Sequence, residues 1–177
     1  EAGWISGIFY AAYVLSVPLL VTLTDRLDAR AIYLTGVACT VVGHLLFGLV
    51  AEGFWSALGL RALTGLGWAG TYMTGLRVLA EKVDAKMMSR AVAAHAASIG
   101  ISGSLSYACA GFVATHYGWS AAFVVAGLSA AAAWLLVALW VPRQQAAPAA
   151  PGVKLFDFRP VFRNRSAMAY SLAYCAH

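Results

Sequence analysis

Arg61 stands inside a long apolar stretch, Phe54 to Ala80, where the only other charged residue is Arg77. If that stretch lies in lipid, a guanidinium near its centre costs about 2.5–3.5 kcal/mol on insertion scales. No Asp or Glu lies in any apolar run of the chain to neutralise it. The guanidinium must therefore face other helices, a water-filled cavity or a group of carbonyls. Two readings fit. In one, Arg61 is a cavity cation that attracts an anionic solute or carboxylate. In the other, it caps carbonyls of a neighbouring helix or reaches outward to water.

On a helix, Gly65, Trp68, Ala69 and Tyr72 share a face with Arg61. Trp68 and Tyr72 are candidates for lining the same cavity. Gly65 and Ala69 form a small-xxx-small pair suited to docking a partner helix, and Gly67 belongs to the same packing set. A later run carries two rows of small residues, Ser98, Ser102 and Ser106, then Gly100, Ser104 and Ala108. Gly100 and Ser104 are accordingly expected at a helix–helix contact. His44 and His95 are lone histidines within apolar runs. Each fits either a proton relay or a hydrogen bond to a helix carbonyl; His44 is counted with the cavity candidates. No metal-ligand spacing, phosphate-cradling glycine loop or hydrolase signature is present, so no metal, no bound cofactor and no enzyme are expected. Cys39, Cys109 and Cys175 read as small packing residues.

The elements that position these residues follow from composition. Of 177 residues, 62% are hydrophobic and 11% charged. Too few polar side chains exist to cover a water-facing surface. Five runs reach the ~20 residues needed to cross a bilayer: Trp4 to Leu23, Ala31 to Ala51, Phe54 to Ala80, Ala91 to Thr115 and Trp119 to Val141. A sixth begins at Ser166. Backbone in lipid must satisfy its own hydrogen bonds, and runs this continuous do so as helices rather than barrel strands. The expected fold is an all-α polytopic membrane bundle with five complete spans and a truncated sixth.

The net charge of +5 does not mark a nucleic-acid surface. Ten of the twelve Lys and Arg fall in three links, 24–30, 81–90 and 142–165, and the intervening links carry none. That alternation places the basic links in the cytoplasm. Trp55 and Trp119 then sit at the opposite interface, where aromatics are favoured. Three segments result: a bundle over 1–141, a cytoplasmic linker over 142–165, and the start of a second bundle over 166–177. Within the linker, Gln144 to Gly152 reads as extended and flexible. The stretch Phe156 to Arg163 reads as a headgroup-level segment or a plain anchor. The first run has no basic residues before it, as a leader would, and the chain reads as a fragment cut at both ends.

In the first basic link, Asp25, Arg26 and Arg30 put opposite charges at a helix end, where they can bond exposed helix termini and latch one conformation. Positive-inside anchoring requires neither Asp25 nor Asp28. The stretch Val21-Thr-Leu23-Thr-Asp25-Arg26-Leu-Asp28-Ala29-Arg30 resembles the signature G-x-L-x-D-R-x-G-R-R of the major facilitator superfamily, which lies between that family's helices two and three. Leu23, Asp25, Arg26 and Arg30 match; Val21, Asp28 and Ala29 replace two Gly and one Arg. Arg61-Ala-Leu-Thr-Gly65-Leu-Gly67 is similar to the family's R-x-x-x-G-x-G on helix four. Tyr117 to Phe123 looks like its junction between helices five and six. The fourth run lacks the Gly-Pro of the family's antiporter motif. The resemblance implies that the runs correspond to helices two to six and the start of seven. It implies transport of a small solute, an anion where Arg61 serves as the cavity cation, through a bacterial inner membrane by a monomer in lipid. Arg61 would be the cavity cation and Asp25, Arg26 and Arg30 the cytoplasmic gate. Coupling to a proton or sodium gradient is left open.

Overall fold

The computed structural model describes residues 1–143 and 159–175. The extended stretch expected at Gln144 to Gly152, and Phe156 to Phe158 of the headgroup segment, lie outside the described residues. The chain forms two compact units, Glu1–Ala146 and Ala147–His177. In the first, α1 (Ala2–Leu23), α2 (Ala29–Val50), α3 (Phe54–Ala69) and α4 (Tyr72–Lys82) are followed by a 3-10 turn at Ala85–Met87. α5 (Met88–Tyr117) and α6 (Trp119–Trp140) complete it. In the second, α7 (Arg159–Arg163) leads into α8 (Arg165–Cys175). No strand occurs among the described residues.

The helix ends are set by local chemistry. The Asp28 carboxylate caps α2, accepting from the Arg30 N–H at 3.0 Å. At the start of α3, the Gly53 N–H donates to Ser56 Oγ at 3.2 Å, while the Ser56 hydroxyl donates back to the Gly53 carbonyl. Between α5 and α6 a single residue, Gly118, turns the chain with φ of 88°, a conformation that side chains resist. Asn164 Oδ1 caps α8, accepting from Ser166 N and Ala167 N.

α2 is the spine of the first unit, packing along α6 and α3, while α1 lies along α3. These contacts are close because glycine makes them so. A Cβ on Gly36 would sit 2.8 Å from the Gly67 carbonyl oxygen and 2.9 Å from Gly70 Cα. A Cβ on Gly65 would collide with the Phe9 carbonyl oxygen. The buried apolar residues are few and mostly small: Ala29, Ile32, Val37, Ala57 and Ala69. Large ones point outward; Leu15 is 79% exposed and Leu139 75%. So much outward apolar surface suits lipid, not water. Among the described residues, four helices are long and apolar enough to span a bilayer.

The third apolar run departs from expectation. Hydropathy predicts one span from Phe54 to Ala80, but the run is broken at Gly70 and Thr71 into α3 and α4. Gly70 abuts α2, where a Cβ would lie 3.0 Å from Gly36 Cα. The backbone tightens there: Gly70 N bonds both Leu66 O and Gly67 O, and Thr71 N bonds Trp68 O. The Thr74 hydroxyl, fully buried, donates to the Gly70 carbonyl, and Thr71 Oγ1 donates to Trp68 O at 2.8 Å. Threonine hydroxyls thus supply donors that a continuous helix would take from its backbone. The fourth run is also longer than read, because α5 extends from Met88 to Tyr117.

Candidate functional site

Arg61 sits on α3, two turns from its start, half-buried between α1 and α2. Its guanidinium carbon lies 4.7 Å from the centre of the Phe9 ring of α1. That is cation–π range. Among the described residues it forms no ion pair; the described pairs both belong to Arg77. Tyr10 of α1 and His44 of α2 are within electrostatic range of it.

Two turns along α3, Trp68 stacks on the same Phe9, with centroids 5.5 Å apart, and meets Tyr13 at a tilt of 37° with centroids 4.5 Å apart. Tyr10 meets Phe9 edge-on at 5.1 Å. The α1–α3 seam is therefore a ladder of aromatic rings with one guanidinium at its end. Trp68 remains 41% exposed, so the ladder has an open side. A cleft of about 340 Å³ lies at the end of the unit where α2 meets α3 and α5 meets α6, lined by Phe47, Ala57, Trp119, Glu1 and Glu52 among others. Ala57 is one turn of α3 from Arg61. A guanidinium beside flat rings can hold a carboxylate by charge-assisted hydrogen bonds and a planar group by stacking.

The residues expected on one face with Arg61 divide at the helix break. Gly65 packs against the Phe9 backbone, Gly67 against Gly36 and Thr40, and Ala69 is 1% exposed. Trp68 stays with Arg61. Tyr72 does not: it begins α4, beyond the break, and stacks on His95 of α5. The expectation that Tyr72 lines a cavity with Arg61 is corrected on that ground. His44 takes the carbonyl-bonded arrangement, Nδ1 to Thr40 O at 2.9 Å, and its ring lies 5.9 Å from Phe123 of α6. Gly100 and Ser104 also depart from expectation. Nothing lies within 4 Å of a Cβ on Gly100, and Ser104 is exposed, so that face of α5 meets no helix among the described residues.

At the end of the bundle that carries the first basic link, Asp25 and Arg30 take different partners. Asp25 pairs with Arg77 of α4 at 2.9 Å, and Arg77 Nε holds Glu81 at 3.2 Å. Arg30 Nη2 donates to the Ala138 carbonyl in the last turn of α6 at 2.7 Å. It thereby satisfies one of the carbonyls that a helix end leaves open. Arg26 is exposed. Arg77 was not singled out by sequence. The available signal was the surplus acid Asp25 and the one basic residue near the far end of the third run, Arg77.

A family model described as Major Facilitator Superfamily matches residues 1–176. The niacin transporter NiaP of Acinetobacter baylyi is 23% identical over 137 residues, covering 77% of this chain. The chain spans 31% of that protein's length.

Proposed function

The chain belongs to the major facilitator superfamily, and from that membership we propose that the whole protein carries a small organic anion across a bacterial inner membrane. The mechanism is alternating access, the two halves rocking about a central site. The observation that carries the substrate charge is Arg61, held over Phe9 with no carboxylate partner among the described residues. A cation kept in an apolar bundle without a counter-charge is a place for a solute anion. The aromatic ladder of Phe9, Tyr13 and Trp68 favours an anion with a flat ring. The similarity to a niacin transporter supports the same direction and makes nicotinate the first solute to try.

In this reading Asp25–Arg77 and Arg30–Ala138 tie α1 to α4 and α2 to α6 at the cytoplasmic side, so the ends of the helices move as a unit. The bacterial setting is supported by the bacterial relative, and the monomer by the resemblance alone. The test uses the full-length protein in proteoliposomes. Nicotinate uptake is expected in wild type and lost in Arg61→Ala, with insertion and folding retained. Uptake by Arg61→Ala at the wild-type rate would remove Arg61 from the site. Binding of nicotinate without passage would instead support a receptor.

A further inference from the structure

Arg61 and Trp68 share one ring. The guanidinium carbon lies 4.7 Å from the centre of Phe9, and Trp68 stacks on Phe9 with ring centres 5.5 Å apart. The two residues are two turns apart on an unbroken stretch of α3, about 10 Å at 1.5 Å per residue. They therefore stand on opposite faces of Phe9, which leaves that ring no open face. Their separation is fixed. The break in the run falls beyond Trp68. Between the two residues Gly65 is pressed onto α1, where a Cβ would meet the Phe9 carbonyl oxygen and lie 3.2 Å from Ala12 Cβ.

A carboxylate held by Arg61 thus has no free Phe9 face beside it. The next ring along the seam is Trp68, 41% exposed, with Tyr13 behind it at 4.5 Å. Tyr72 is out of reach, stacked on His95 across the break. Nearer to Arg61 stands Tyr10, which meets Phe9 edge-on at 5.1 Å.

We propose that the solute is an aryl acid whose ring is held away from its carboxylate by a flexible spacer, and that Trp68 selects for that length. The proposal rests on the anion-transport reading above and narrows its solute class. The carboxylate accepts from the Arg61 guanidinium. The spacer runs past the edge of Phe9, and the ring meets the exposed part of Trp68. No covalent bond forms or breaks. A ring joined directly to its carboxylate, as in nicotinate or benzoate, engages Arg61 and Tyr10 but stops short of Trp68. An arylbutyrate covers most of the gap.

The test is calorimetric binding to the full-length protein in detergent, with benzoate, phenylacetate, phenylpropionate and phenylbutyrate. Affinity should rise along the series. The rise should be about two- to tenfold smaller in Trp68→Leu, which keeps apolar bulk without a ring, the scale of one aromatic pair. Trp68→Phe should restore most of it. A rise of the same size in Trp68→Leu reflects apolar partition alone and overturns the proposal. Benzoate binding as tightly as phenylbutyrate in wild type also overturns it, and its loss in Tyr10→Leu would seat the ring on Tyr10 instead. Equal binding at every length counts against the length selection alone. Neutral phenylbutyramide binding as tightly as phenylbutyrate counts against the anion reading, and the proposal falls with it.

Discussion

At the scale of single residues, the site is a matter of which charge finds a partner. Arg61 has an aromatic ring and no carboxylate, whereas Arg77 has two carboxylates. The first is suited to bind, the second to hold. Arg61→Lys keeps the charge but loses the planar fork that grips a carboxylate. It should retain uptake with KM raised about tenfold, the scale of one lost charge-assisted hydrogen bond; concentration-dependent uptake reads this directly. Asp25→Asn breaks a pair whose side chains are 59% and 43% exposed, so its effect on stability should stay below about 1 kcal/mol. What should change is the accessibility of cysteine probes at the cytoplasmic ends of α1 and α4. Equal labelling in wild type and variant would show that the pair latches nothing. Arg61 was legible in the sequence because a charge in an apolar run is rare. The partners of Asp25 and Arg30, 52 and 108 residues away, were not.

At the scale of elements, small residues decide how near the helices come. The α2–α3 crossing admits no side chain at Gly36 or Gly67. Gly67→Val should cost about 1–3 kcal/mol by overpacking, and thermal unfolding in detergent will measure it. Gly100→Val on α5, where a Cβ meets nothing within 4 Å, serves as the matched control and should be near neutral in this unit. The break in the third run has its own test. Thr74→Val removes the hydroxyl that serves the Gly70 carbonyl in a fully buried place. Leaving that carbonyl unpaired should cost about 1–3 kcal/mol. Hydropathy cannot show such a break, since Gly70, Thr71 and Tyr72 are as acceptable in a continuous apolar run as anywhere. It shows only when a second helix presses a glycine against the bend.

At the scale of the whole unit, the large apolar side chains face outward and the small ones inward, as a lipid-embedded bundle requires. The orientation is testable without any solute. Single cysteines placed at 28 and 86 should react with impermeant reagents only from the cytoplasmic side, and those at 53 and 118 only from the other. Labelling of all four from one side would refute the topology. The expected outcome would put Glu52 and the cleft near Trp119 on the outer face, and the Asp25–Arg77 pair on the inner one.

The sequence by itself determined that this chain lies in a membrane as helices. That property is a sum of hydropathy over many residues, so no single contact can overturn it. It also determined family membership, because the Asp25-Arg26 link and the Arg61-Gly65-Gly67 spacing are local patterns. Only the tertiary structure decided that Tyr72 leaves Arg61 for His95, that Asp25 and Arg30 part company, and that one span is two helices. These depend on which helix lies beside which, and in lipid that choice rests on close packing at a few glycines rather than on hydrophobicity, which every run shares.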